Sequence, residues 1–422
     1  MKKAIALVLL FFAVKVYADD TARLQAMLDA GKVTLPANHA PYTITSINLT
    51  HSLNANGNVI RCLTDDQGIV MTKTGVKLSN AEIVGLDDTT NPSGASGIQL
   101  NGDRDTVDHV YIHKFPAYGI IGGDGNRPVI TNNKIADIGY MGIFLFSTHH
   151  SIRGGIVASN TFDRSMLNPN TVTEGDIMLR GTPSFASSGW KVYRNTMLMP
   201  IAPKDLTAMC MELRNTPYSQ VYDNTFIGGT IGVSIVRNNF VTVYNNKCMK
   251  QREEGIEVCD SENTMVRDNI ITDQLNMGIM VDGFAPLGNK FDTLLNNTIS
   301  RCNGYGIQLF KDTYNTHIRN CTITTKSKAI NIQGAHTVTV QDCILTGNGY
   351  GSTAIFLDNS KGKITMKGGS MKGFERKLFI YTNKQVKTDD ILIDGVKGSD
   401  NMGESDKNLS GGGEIGSNIR IK

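Results

Sequence analysis

The chain has 422 residues, with 42 Lys and Arg against 39 Asp and Glu, 43 glycines and seven cysteines. The basic excess resides in the first 18 residues: without Lys2, Lys3 and Lys15 the balance is 39 against 39. A neutral chain has no global field that would draw it to nucleic acid or an anionic membrane, so no nucleic-acid partner is expected and any charged ligand must be held by a local arrangement.

Residues 1–18 pair two lysines with an apolar run from Ala4 to Val14 and end on Val16-Tyr17-Ala18, small residues where a signal peptidase reads. They are expected to be a secretory signal. The run is about eleven residues, too short to span a bilayer, and no later stretch is long enough. The expectation is an exported chain, periplasmic or extracellular, with no transmembrane segment in its mature form. An odd number of cysteines in such a chain leaves at least one unpaired.

Residues 19–36 read as an N-terminal cap. Asp19-Asp20-Thr21 offers a helix start, Leu24, Met27 and Leu28 fall at helical spacing, and Gly31 stops the helix before Val33-Thr-Leu-Pro36. A solenoid needs such a cap, because its first coil otherwise leaves an open strand edge.

Residues 37–397 carry two alternating phrases. One sets an apolar residue three before an asparagine, as in Val192-Tyr-Arg-Asn195-Thr-Met197, Val221-Tyr-Asp-Asn224-Thr-Phe226, Val243-Tyr-Asn-Asn246-Lys-Cys248 and Val266-Arg-Asp-Asn269-Ile-Ile271. It extends to Asn133, Asn160 and Asn297, and cysteine takes the slot at Cys321 and Cys343. The other phrase is Gly-Ile-x-Val or a near variant, as at Gly232, Gly255 and Gly278. Two short period-2 segments per unit, repeating every 22 to 35 residues, predict stacked strands. The fold class is therefore all-β: a single parallel β-helix solenoid of about twelve coils, with adjacent coils roughly 4.8 Å apart.

The asparagines are expected to hydrogen-bond coil to coil at left-handed turns. Cys321 and Cys343 are close enough for a disulfide, but stacked core cysteines are preferred. Residues 398–422, rich in Gly and Ser, read as a tail of loop or disorder.

The opening Asp-Asp-Thr-Ala-Arg-Leu-Gln-Ala-Met-Leu-Asp-Ala-Gly, followed by Leu35-Pro36 and the repeats, resembles the right-handed parallel β-helix proteins of the pectate-lyase-like and phage-tailspike-like superfamily. The resemblance implies a right-handed helix and a polysaccharide partner. It does not choose among lyases, hydrolases, epimerases and adhesins.

Strand alternation places two outward columns beside one another. The first reads Phe144, Met178, Glu212, Ser234, Glu257, Met280, Gln308, Asn331, and the second Phe146, Arg180, Arg214, Val236, Cys259, Asp282, Phe310, Gln333. Charge collects in the middle coils, and flanking turns add Asp176, Arg237, Glu253, Glu254, Asp260, Lys311 and Asp312. Sugar-polymer chemistry needs carboxylates as acid and base, or a base at an acidified C5 proton with cations beside the uronate carboxyl. Arg214, Glu212, Glu257, Asp282 and Arg180 are the expected catalytic residues, and Asp176, Arg237, Asp260 and Lys311 the expected substrate-binding ones. The opposing reading is that mixed charge on a solenoid face forms structural salt bridges.

The first function expected is a lyase cleaving a uronate-containing polysaccharide by β-elimination, with Arg214 or Arg180 neutralising the carboxyl or taking the proton. The alternatives are an inverting glycoside hydrolase on the same face and a non-catalytic glycan binder or adhesin. The strand Glu212-Leu-Arg214, ten residues before Asn224, resembles that bearing the catalytic lysine in chondroitinase B and alginate lyases. This sequence departs from that pattern, with Arg in the base slot and Val236 next in line. The Asp-Pro-His epimerase signature is absent. Carboxylates could hold calcium, but Glu212, Glu257 and Asp282 lie too far apart along the axis to share one ion without loop residues. Loops at 168–173, 182–188 and 199–204 are expected to wall the groove. Phe144, Phe146 and Phe310 are suited to stacking on sugar rings, whereas Trp190 opens a strand and reads as core.

Overall fold

The structure is a computed structural model, and it describes residues 19–31, 33–86, 95–170, 174–201, 208–284, 287–381, 391–397, 407–410 and 419–421. The expected signal at 1–18 and parts of the loops at 168–173 and 199–204 lie outside them.

Each coil closes because short strands alternate with turns that only certain residues can make. All named strand pairs are parallel, and each strand bonds to its counterparts one coil above and below. Met211–Arg214, for example, lies between Ile177–Arg180 and Ile231–Val236. Three such series run the length of the molecule and form a right-handed solenoid of about 14 turns, slightly more than the twelve expected. The first coils are built from strands as short as Val33–Thr34 and Ile47–Asn48, which show little alternation in sequence. At the other end the pairing runs past the boundary expected at 397: Lys407–Ser410 pairs with Ser370–Tyr381, and Ile419–Ile421 with Ile391–Asp394. That part of the expected tail is strand.

The interior is one continuous apolar core of Ile, Val and Leu, with Trp190 fully buried and its indole N–H donating to Ser187 Oγ at 2.8 Å. The helix α1, Thr21–Ala30, closes the first coil with Leu24 and Leu28 buried, while Met27 stays half-exposed on its outer side. Glycine opens the Gly-Ile-x-Val strands because coils approach closely at that corner. A Cβ at Gly232 would meet the Gly255 carbonyl oxygen at 2.4 Å.

The asparagine ladder is present and buried. Asn133, Asn160, Asn195, Asn224, Asn246, Asn269 and Asn297 follow one another, each Nδ2 donating to the next Oδ1 at 2.9–3.0 Å. The left-handed backbone expected at these asparagines sits one residue earlier, at Asn132, Ser159, Arg194, Asp223, Asn245, Asp268 and Asn296. The preceding residue turns the chain, and the asparagine satisfies the carbonyls that the turn leaves bare. Cys321 and Cys343 continue the column as thiols, and all seven cysteines are free and buried.

Candidate functional site

The first outward column is in register throughout, and the second as far as Asp282, beyond which the pairing from coil to coil ends before Phe310 and Gln333. Strand register runs Phe144, Met178, Glu212, Ser234, Glu257, Met280, Gln308, Asn331 in one and Phe146, Arg180, Arg214, Val236, Cys259, Asp282 in the other. Outward does not mean exposed. Met178, Glu212, Ser234 and Gln308 have no accessible surface, so neighbouring side chains close over the first column.

Glu212 is the centre of this closure. Arg180 Nε donates to its Oε1 at 2.5 Å, and Arg214 Nη2 to its Oε2 at 2.9 Å. The side chain of Glu212 is 0% exposed, against 27% for Arg180 and 40% for Arg214. The arginines cover the carboxylate and present their remaining N–H groups outward. Burial alone would lower the Arg214 guanidinium, but its hydrogen bond and charge attraction to Glu212 hold it above the ordinary value. On the N-terminal side Arg180 also faces Glu174 at 3.6 Å and lies over the Phe144 ring at 5.7 Å.

On the C-terminal side carboxyl groups gather without a matching number of cations. Glu257 accepts a hydrogen bond from Ser234 Oγ and is half-buried. Its carboxyl is pushed up by burial, and the Glu212 and Asp282 charges push the same way. Asp282 is pushed up to about 6, by burial first and then by Asp260. Glu254, nearly inaccessible in the same strand as Glu257, is pushed up to about 8 by burial and by Glu257.

The expected flanking residues divide. Asp260 accepts the Phe284 N–H at 2.6 Å and faces Arg237 at 3.9 Å. Both help line a cleft of about 460 Å³ between the Thr182–Ala186 turn and Leu287–Lys290, whose lining includes no residue of the two columns. Lys311 is exposed, and its charge acts on Asp282. Asp176 is not on the groove. It is wholly buried against the equally buried Arg164 at 3.7 Å, and the Arg164 Nη1 donates to the Glu174 carbonyl at 3.0 Å. Its position just before the Ile177–Arg180 strand is a coil corner, and there the side chain turns inward.

Sequence reasoning missed Glu174, Tyr118 and Tyr140. Glu174 follows an irregular loop with no periodic frame, and the tyrosines stand at the edges of two adjacent coils, Tyr118 opening the strand Tyr118–Gly123 and Tyr140 directly preceding Met141–Phe146. No group of three or more His, Cys, Asp or Glu side chains among the described residues is arranged to hold a metal ion. No helix among them is long and apolar enough to cross a membrane.

The family described as "Right handed beta helix region" matches residues 43–173, and that described as "Periplasmic copper-binding protein (NosD)" matches 193–367. No curated protein sequence matches the chain. Among solved structures it is similar to an alginate lyase from Paenibacillus, with 12% identity over 75% of this chain and 93% of that one at a TM-score of 0.41. A surface adhesin of Streptococcus pneumoniae gives 10% identity, coverages of 86% and 87%, and a TM-score of 0.47. The A-module of a mannuronan C-5 epimerase from Azotobacter vinelandii gives 14%, 96% and 96%, and 0.37. At these identities the likeness is one of fold.

Proposed function

We propose that this right-handed parallel β-helix protein is exported and hydrolyses an acidic polysaccharide laid along the charged sheet face. In this reading Arg180 and Arg214 hold the carboxylate of a uronate, and Glu257 and Asp282 exchange protons at the glycosidic bond. Glu212, with no accessible surface, is a positioning residue that fixes the two guanidiniums.

The observation that carries the proposal is the pair of raised carboxyls one coil apart, beside two anchored arginines. Glu257 pairs with Met280 and Cys259 with Asp282, so the two acids are diagonal neighbours with Cα atoms about 8 Å apart. Inverting hydrolysis needs carboxyl groups about 6.5–9.5 Å apart, with a water between acid and base, and side chains on Cα atoms this far apart can reach that separation. A carboxyl raised toward neutrality keeps a proton to give, while its ionised neighbour accepts one.

β-Elimination, first on the sequence alone, is less well supported. It asks Arg214 or Arg180 to take a proton, yet both guanidiniums donate to Glu212 and Arg214 is held more firmly protonated than usual. Arginine neutralises the substrate in either chemistry, so the base decides. Reducing ends and absorbance near 232 nm should be followed together on acidic polysaccharides, using wild type, Glu257→Gln, Asp282→Asn and Arg214→Ala. The expected result is reducing ends without ultraviolet absorbance, lowered at least a hundredfold by Glu257→Gln. New absorbance at 232 nm would overturn hydrolysis in favour of elimination. Binding without either product would make the chain a glycan binder.

A further inference from the structure

We propose that Tyr118, Tyr140, Phe144 and Phe146 form a sugar-stacking subsite for the same polymer, about four coils to the N-terminal side of Glu257. The inference rests on the functional reading above and extends it to how the chain is gripped away from the bond that breaks.

The four rings lie on the sheet face that carries the charged columns. Phe144 and Phe146 are in register with Met178 and Arg180 in the next coil, and Tyr118 is in register with Met141. All four are partly exposed, and they run without a break into the arginines through the contact of Arg180 with Phe144.

Tyr118 and Phe144 stack on each other at 5.8 Å and 20°, but Tyr140 and Phe146 pack differently from the other aromatic rows. Tyr193, Tyr222 and Tyr244 stack with centroids 4.8 Å apart and planes within 8°, and Arg267 lies over Tyr244 at 4.3 Å. Phe356 and Phe379 stack at 4.9 Å and 6°, with Lys328 3.5 Å over the Phe356 ring. Rings stacked like coins cover one another's faces and turn only edges to solvent, so a sugar has nothing flat to lie on. In the N-terminal cluster Tyr140 meets Tyr118 at 72°, and Phe146 meets Phe144 at 32°. Among the described residues no ring stacks in parallel on Tyr140 or Phe146 and no cation lies over either. Room for this is made by Gly123, where a Cβ would meet the Phe146 ring at 2.7 Å. The aliphatic face of a pyranose packs on such a ring, as apolar groups do on aromatic faces generally.

The tyrosine hydroxyls add a polar edge. Burial raises both phenols, and the charges of Glu174 and Arg180 act on them, so they face the charged cluster. Among the described residues neither hydroxyl has a hydrogen-bond partner, which leaves them to serve sugar hydroxyls. Four coils separate Phe146 from the coil of Glu257, which is about 19 Å along the axis. Only a chain long enough to span that distance feels both ends.

The test compares full-length wild type with Tyr118→Ala and Tyr140→Ala, and with Tyr118→Phe as the ring-preserving control. The probes are an acidic polysaccharide that wild type cleaves and a size series of its oligomers. The expected result is a KM for the polymer raised roughly three- to tenfold in the alanine variants, with kcat within twofold of wild type. The difference should vanish for oligomers shorter than about 20 Å, and Tyr118→Phe should keep most of the wild-type KM. Unchanged KM for the polymer in both alanine variants overturns the subsite while leaving hydrolysis standing. An equal loss on short and long substrates overturns it too, because that marks general damage. If wild type cleaves nothing, retardation in gels cast with the same polymers replaces KM. Retardation lost in the alanine variants supports the subsite without hydrolysis, and no retardation of wild type overturns both readings.

Discussion

Two columns of one solenoid differ in how they repeat. Along the buried corner the same residue returns seven times, from Asn133 to Asn297, and six identical amide bonds join each copy to the next. On the outward face almost every coil differs: Phe144, Met178, Glu212, Ser234, Glu257, Met280. In these seven coils the corner presents the same bare carbonyls, so the residue that serves them is repeated. Chemistry needs unlike groups side by side, so the column that carries it cannot repeat.

The comparison breaks most sharply at Asn246. Its Oδ1 accepts from the backbone and side-chain nitrogens of Asn224, and its Nδ2 donates to Val221 O, Tyr244 O and Asn269 Oδ1. In Asn246→Leu at least two buried donors of the neighbouring coil lose their acceptor, and no water can replace it. Urea unfolding should show a loss of roughly 3–5 kcal/mol. A loss below about 1 kcal/mol would mean that the ladder accompanies coil stacking without holding it.

The equivalent change on the outward face is Glu212→Gln. An amide keeps the shape but leaves two guanidiniums without their anion. Because Arg180 and Arg214 are partly solvated, the expected loss is smaller, roughly 2 kcal/mol. Function should fall further than stability. With both arginines free to move, KM for an acidic polymer should rise at least tenfold, whereas Asn246→Leu, if folded at the assay temperature, should leave KM unchanged.

Much of this was legible in the sequence for one physical reason. Parallel strands stacked in register convert a period of two along the chain into fixed columns in space, so the Gly-Ile-x-Val phrases of successive coils name the columns directly. What alternation cannot give is cover. It gave Glu212 the correct outward direction, but could not tell that two arginines would fold over it and leave it no accessible surface. It cannot read corners either. Asp176 lies one residue before a strand and turns inward to Arg164, and the left-handed turn residue proved to be Asp223 or Asn245 rather than the asparagine after it. Glu174 follows an irregular loop with no column to place it.

A buried carboxyl outside the site sharpens the comparison through pH. Asp292 lies inside the solenoid with Oδ1 accepting the Thr264 N–H at 2.8 Å and Oδ2 without a partner, and burial pushes it up to about 8. Its folded-state pKa is above that of the unfolded chain. Between about pH 4 and pH 8 the native state therefore holds a proton that the unfolded state has released, and stability falls as pH rises. Glu254, also raised to about 8, acts in the same direction. Asp292→Asn cannot ionise and can use its amide where Oδ2 has nothing. Relative to wild type it should gain roughly 1–2 kcal/mol on going from pH 5 to pH 8, read from urea midpoints. An equal pH dependence in both proteins would show that Asp292 is already ionised in the fold.

The smallest expected effect is at the place where the repeat changes its letter. Asn297 closes the ladder against Cys321, whose Sγ is 4.0 Å from the Asn297 amide nitrogen and is a weak acceptor for it. The thiol keeps the other half of the pattern, since its Sγ reaches Leu294 O at 3.7 Å and Arg319 O at 3.4 Å, the carbonyls an asparagine there would serve. Cys321→Asn would supply an oxygen to Asn297 and an amide to those carbonyls, at the cost of a slightly larger side chain beside Cys343. The expected outcome is a change within about 1 kcal/mol, on the stabilising side, because an amide hydrogen bond to Asn297 replaces a weak sulfur contact and outweighs the weak thiol contact with Cys343 that is given up. A loss of more than about 2 kcal/mol would mean that the turn at this coil has been shaped around sulfur. The switch from asparagine to cysteine would then be a second packing solution for the same corner rather than a weakened copy of the first.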